Sequence, residues 1–172
     1  PDTLDNDLAV IRTAQPLPSV SVSLHQTDDY PSTAQVLGWG YTDPVYPIRP
    51  NTLQEAVIPI IDSNDCLSRL GVGFNPDSML CAGRLASSFD AQDSIDSCFG
   101  DSGGPLLTQG ANGFELLGVV SWGFTCGSDK YWGVYSKISA HQSWLNPLPH
   151  VPPHPRTKPR ISGAVRRRQW AI

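Results

Sequence analysis

The sequence predicts an all-β domain, an antiparallel barrel or sandwich followed by one short helix, and three observations carry that prediction. Its apolar runs are short and rich in Val and Ile: LAVIRT, SVSVSL, AQVLGWG, LQEAVIPII, LLGVVSWG and GVYSKI. Gly, Pro, Asn or Asp stands between them, the residues that turn a chain from one strand to the next. Only SAHQSWL, residues 139–145, has helical character, opened by Ser139 and stopped by Pro147. Strands without interleaved helices argue against βαβ units and a parallel sheet.

Along the chain, LAVIRT follows the turn-forming DND of residues 5–7, and SVSVSL begins just after the prolines at 16 and 18. AQVLGWG runs to Gly40 and precedes a Pro-rich loop; LQEAVIPII ends at the polar IDSND before Cys66. LLGVVSWG and GVYSKI are separated by the glycine- and charge-bearing loop around Cys126. Each run has strand length, and none is long enough for an ordinary helix.

Beyond Asn146 the texture changes to PLPHVPPHPRTKPRISGAVRRRQWAI. Repeated proline removes backbone donors and favours extended chain, so residues 147–172 read as a proline-rich basic arm attached to a domain at 1–146. All sixteen Asp and Glu lie before residue 130, and Arg156, Lys158, Arg160, Arg166, Arg167 and Arg168 hold half of the twelve basic residues. The net charge of −4 thus combines an acidic body with a basic tail. The RRRQW segment could touch an anionic surface, but a nucleic-acid binder would leave the motifs described below unexplained, so nucleic acid is not an expected partner.

No run of about 18 apolar residues is present, so no membrane span is expected. The opening PDTLDNDLAV has neither a basic start nor an apolar stretch of signal-peptide type. Four cysteines, Cys66, Cys81, Cys98 and Cys126, lack C-x-x-C spacing and flanking histidines, which argues against zinc. Their even number favours two disulfides and an oxidising, extracellular setting, with three pairings open from the count alone. The carboxylates are scattered, and neither a metal site nor a cofactor is expected.

Residues 93–110, DSIDSCFGDSGGPLLTQG, hold the chemistry. A serine hydroxyl attacks a carbonyl only when a base removes its proton, and the base needs a carboxylate to fix its tautomer. The oxyanion formed by that attack needs backbone donors gathered in a tight turn. Gly100 and Ser102 have the spacing for such a donor pair, while Gly103 and Gly104 leave room for substrate.

Together with DNDLAVIR, VLGWG, VVSWG and WGVYSKI, this stretch resembles the C-terminal portion of trypsin-like serine endopeptidases of the chymotrypsin fold. The resemblance runs from Asp7 to about Asn146, roughly the last two thirds of such a domain, and implies a chymotrypsin-like antiparallel β-barrel. It implies that Asp7 is the triad carboxylate, Ser102 the nucleophile, and the Gly100 and Ser102 amides the oxyanion hole. Ser121, Trp122 and Gly123 would line the extended substrate site. Asp96, six residues before Ser102, would form the floor of a side-chain pocket, with Ser97, Phe99, Gly123 and Gly133 around it, favouring substrates with Arg or Lys before the scissile bond. Asp101 would pair with the α-amino group released on zymogen cleavage. The cysteines would pair as Cys66 with Cys81 and Cys98 with Cys126.

The sequence also departs from the pattern. No TAAHC-like segment is present, and His25, His141, His150 and His154 have no reason to reach Ser102, each reading as exposed or locally bonded. The expected partner is therefore an N-terminal fragment of the same protease domain that supplies the histidine, beside peptide substrates and protein inhibitors. Ala34 and Thr108 stand where many relatives have a further disulfide. Phe99 puts an aromatic at the rim of the oxyanion turn, and Trp132 is an indole with the bulk to reshape the pocket's back wall. The competing reading is a non-catalytic protease-like binding or regulatory protein.

Overall fold

A computed structural model describes residues 4–15, 21–43, 46–88 and 93–146. The basic arm expected at 147–172, with His150 and His154, lies outside the described residues.

Seven strands, β1 Ser23–Leu24, β2 Thr33–Gly38, β3 Gln54–Ile61, β4 Met79–Ala82, β5 Pro105–Gly110, β6 Gly113–Trp122 and β7 Gly133–Lys137, form one sheet. Its order is β1-β6-β5-β2-β3-β4-β7, and an additional β6–β7 pairing closes β2 to β7 into an antiparallel six-stranded barrel. Two-residue β1 sits outside the ring, parallel to β6. Closure removes the free edges that an open sheet of these strands would expose.

The inward-facing residues explain why these segments pair. Ala34 and Val36 of β2, Ile58 of β3, Leu80 and Ala82 of β4, Leu106 of β5, Leu117 and Val120 of β6 and Tyr135 of β7 make one buried core. Burying each large member contributes roughly 1.5 to 3 kcal/mol against leaving it exposed. A second cluster, Cys66, Leu70, Phe74, Met79, Cys81 and Val134, lies against the barrel wall.

Helix α1, Ser63–Leu70, builds that second cluster and was not foreseen in the sequence. Asp62 caps it, its Oδ1 accepting from the Asn64 amide at 2.8 Å, and the helix buries only Cys66 and Leu70. With so narrow an apolar stripe, the disulfide from Cys66 to Cys81 of β4 is its principal anchor. The expected terminal helix is present as a 3₁₀ turn at Ser139–His141 running into α2, Gln142–Leu145.

Two expected strands change. LAVIRT is extended but belongs to no sheet, leaving Val10 and Ile11 51% and 85% exposed. Of SVSVSL, Ser23 and Leu24 form a strand among the described residues, and residues 19–20 lie outside them. Strand β4, MLCA, and strand β5, PLLTQG, were not singled out in the sequence.

Candidate active site

The segment DND of residues 5–7 is fastened to the barrel residue by residue. Asp5 Oδ1 accepts from Ser78 Oγ at 2.7 Å and from Asn75 Nδ2 at 3.0 Å. Asn6 takes a left-handed backbone, φ 58°, and its Oδ1 lies 2.9 Å from His141 Nε2. The Asp7 carbonyl accepts from Ser136 Oγ at 2.8 Å, and its Oδ2 accepts from Ser121 Oγ at 2.7 Å. Asp7 is therefore held on the strand end that also borders Ser102, with its carboxylate exposed. Ser121 lines the cavity, and its bond to Asp7 is a contact that the sequence did not suggest.

Ser102 sits in the turn between Cys98 and β5. The Gly103 amide donates to Val120 O at 2.9 Å and the Val120 amide to Gly104 O at 2.9 Å, which ties the turn to β6 beside Ser121. Asp101 braces the same turn from the other side: Oδ2 accepts from the Cys98 amide at 2.9 Å and Oδ1 from the Gly40 amide at 2.7 Å. Gly100 has φ 103°, a conformation side chains resist, and this rotation permits the turn. Among the described residues neither the Gly100 nor the Ser102 amide donates a hydrogen bond, so both are available to an incoming oxygen.

Beside exposed Ser102 opens a cavity of about 150 Å³. Asp96, Ser97, Phe99, Ser121, Trp122, Gly123 and Gly133 all line it, and Cys98 and Cys126, joined by a disulfide, hold two of its walls together. Asp96 Oδ1 is fully buried without a hydrogen-bond partner among the described residues; Oδ2 has only a long bond, 3.4 Å, from the Gly127 amide. Burial pushes the Asp96 carboxyl up to about 7, against the pull of the Gly127, Ser97 and Gly133 amides. A Cβ at Gly133 would stand 2.6 Å from Asp96 Oδ1 and 3.2 Å from Ser97 Oγ, so only glycine leaves this floor open. Ser97 is oriented by the buried Tyr135, whose hydroxyl donates to Ser97 Oγ at 3.0 Å.

Trp132 does not line that cavity but packs behind its floor: a Cβ built on Gly83 would stand 3.5 Å from Asp96 Oδ1 and 3.7 Å from Trp132 Cδ1. Its indole packs on the Cys66, Met79 and Val134 cluster, with the Arg69 guanidinium 4.9 Å from its ring centre. Phe99 is at the rim, 59% exposed, and meets Tyr41 edge to face at 6.5 Å.

The two described histidines are engaged elsewhere. His25 Nδ1 is 2.9 Å from Glu115 Oε2, and His141 Nδ1 is 2.6 Å from Lys137 O. His141 is buried and locally bonded rather than exposed. No described residue stands as a base on Ser102.

A closed six-stranded barrel carrying a serine turn, a carboxylate bonded to the adjoining strand and an acid-floored cavity is the framework of a chymotrypsin-fold protease half. The sequence model of the family described as Trypsin matches residues 1–145, and the chain belongs to that family. Trypsin of Phaedon cochleariae is 35% identical over 156 residues, covering 84% of this chain and 55% of the relative. Trypsin-1 of Astacus astacus is 33% identical over 149 residues, covering 84% of this chain and 60% of the relative. The solved structure of neuropsin, a serine protease of mouse brain, aligns with TM-score 0.61 and 31% identity over 73% of this chain and 52% of neuropsin. The chain thus spans little more than half the length of these relatives.

Proposed function

We propose that the complete domain to which residues 1–146 belong is a secreted serine endopeptidase cleaving after Arg or Lys. In this reading Ser102 attacks the carbonyl, the Gly100 and Ser102 amides hold the oxyanion, and Asp7 orients a histidine supplied by an N-terminal fragment of the same domain. The histidine takes the Ser102 proton and passes it to the leaving amine as the C–N bond breaks, and water then hydrolyses the Ser102 ester, releasing the new carboxyl terminus and restoring the hydroxyl. Asp101 secures the oxyanion turn and would receive the new α-amino group on zymogen activation; a cavity of about 220 Å³ borders it, between Gly38, Gly40 and Tyr41. The exposed Val10, Ile11 and Trp39 are apolar surface for the missing half to cover. Two disulfides fit an extracellular setting. Residues 147–172 form a separate basic arm on this reading.

The observation that carries the basic preference is the buried, unpartnered Asp96 Oδ1 at the cavity floor. A guanidinium or ammonium entering there supplies the charge-assisted hydrogen bonds that this oxygen lacks. Turnover of matched peptides by the complete domain tests it: substrates with Arg or Lys before the scissile bond should exceed those with Phe, Tyr or Leu. Asp96→Ser should lower kcat/KM for the basic set by at least about a hundredfold while a serine-directed acylating reagent still labels Ser102. A preference for aromatic residues that Asp96→Ser leaves unchanged overturns it. The second reading, a non-catalytic protease-like binding protein, rests on the lack of a base at Ser102 among the described residues; Ser102-dependent turnover would end it.

A further inference from the structure

We infer that Arg49 makes the leaving-group side of the site selective for acidic residues, so that the preferred cleavage site is Arg or Lys followed, within the next two residues, by Asp or Glu. The inference rests on the function proposed above and deepens it. Arg49 is exposed, its guanidinium carbon 4.8 Å from the centre of the Tyr41 ring. That stacking restrains an otherwise mobile side chain, because an aromatic face attracts a guanidinium and shares its plane. Tyr41 is itself fixed, its amide donating to Phe99 O at 3.0 Å and its ring meeting Phe99 edge to face.

This restraint places the charge beside the reacting centre. A Cβ built on Gly100 would lie 2.9 Å from Arg49 Nη1 and 3.3 Å from Gly40 Cα, so the guanidinium shares the immediate neighbourhood of one oxyanion donor. Arg49 does not line the Asp96 cavity, and neither do Gly40 and Tyr41. A peptide lying over Ser102 with its basic side chain on Asp96 has its preceding residues along Ser121, Trp122 and Gly123. On the proposed reading its following residues would leave on the side of the turn away from that cavity, where Gly100, Gly40 and Arg49 lie together. Among the described residues no carboxylate lies within 4.0 Å of Arg49 to satisfy its charge internally. A substrate carboxylate there gains a fork-shaped donor, whereas Lys or Arg meets like charge.

The test measures affinity in the complete domain carrying Ser102→Ala, so that no outcome depends on turnover. Peptides identical except for Asp, Ala or Lys at the two positions after an internal Arg are titrated by calorimetry at low ionic strength. The Asp peptide should bind about three- to tenfold more tightly than the Ala peptide, and the Lys peptide more weakly by a similar factor. Arg49→Gln should collapse the ratio, Arg49→Glu should invert it, and Arg49→Lys should retain its sign, a pattern that a general disturbance of the loop would not produce. Equal affinities, or a ratio that Arg49→Glu leaves unchanged, overturn the inference while leaving the Asp96 reading intact. Replacing the internal Arg by Phe separates the two claims: an acidic preference that survives without dependence on Arg keeps this inference and removes the basic preference. Binding of none of the peptides removes both.

Discussion

Ser121 Oγ donates to Asp7 Oδ2 at 2.7 Å, joining residues far apart in sequence at the edge of the Ser102 cavity. With Ser136 Oγ on the Asp7 carbonyl, this bond fixes an otherwise exposed segment that has no strand partner among the described residues. The carboxylate is thereby held in one orientation at the cavity edge. In the complete domain, Ser121→Ala should lower kcat by up to about tenfold with little change in KM, the scale of one charge-assisted hydrogen bond lost from a positioning group. Asp7→Asn should cost about 10⁴ in kcat, as loss of the tautomer-fixing carboxylate does in the general triad scheme. A Ser121→Ala loss that falls entirely on KM would show that Ser121 acts on substrate alone.

Asp96 makes stability and ligand binding depend on pH in opposite senses. Its folded-state value of about 7 lies above the ordinary 3.8, so the folded protein holds a proton that the unfolded chain releases. Its protonation stabilises the fold fully below about pH 4, and that contribution is lost as pH rises through 7, a change of order 4 kcal/mol. Urea unfolding of Asp96→Asn should lack that fall when compared with the parent. A small arylamidine requires the charged carboxylate, so its affinity should weaken about tenfold per pH unit below 7, with uptake of the ligand releasing close to one proton at pH 6. Calorimetry in buffers of different ionisation enthalpy reads that proton directly. Binding without proton release would place the cation elsewhere.

Gly38 and Asp101 are packed so closely that the nucleophile turn depends on the absence of a side chain. A Cβ on Gly38 would fall inside the Asp101 carboxylate, and one on Gly40 would collide with its Oδ2. Gly38→Ala should therefore displace Asp101, break its bonds to the Gly40 and Cys98 amides, and loosen the oxyanion turn. We expect destabilisation of about 2 to 4 kcal/mol, together with a fall in the fraction of Ser102 that an acylating reagent labels. Full labelling at unchanged stability would mean that Asp101 does not hold the turn.

Much of the site was legible because its chemistry is local in sequence: Asp96, Gly100, Asp101 and Ser102 fall within seven residues, and two cysteines bracket the cavity. The links made by tertiary contact were not legible. Nothing in VVSWG says that Ser121 bonds Asp7, and nothing in the Pro-rich loop places Arg49 beside Gly100. The fold class followed from strand-length Val and Ile runs, yet MLCA escaped notice because a four-residue strand buried throughout shows no alternation. Helix α1 escaped because SNDCLSRL is mostly polar and takes its burial from a disulfide and one leucine. LAVIRT misled in the other direction: it has the composition of a strand without a partner in the described residues.

In β2 and β5, Val36 opposes Leu106, and both are buried in the barrel. Gln35 opposes Leu107 next, and since successive residues alternate faces, continuing that register by one more residue would set Ala34 opposite half-buried Thr108 on the Val36 side. Directly opposed residues of an antiparallel pair have Cα atoms about 4.5 to 5.5 Å apart, within the span of a disulfide. Ala34→Cys with Thr108→Cys should therefore oxidise without backbone movement and close a long loop between β2 and β5. The gain should reach about 3 to 5 kcal/mol in the chain-entropy picture and disappear on reduction of that bond. Non-reducing peptide mapping should show the new pair beside Cys66–Cys81 and Cys98–Cys126, and chemical unfolding should show the higher midpoint. Two titratable thiols in the folded, oxidised protein would show that Ala34 and Thr108 do not oppose one another.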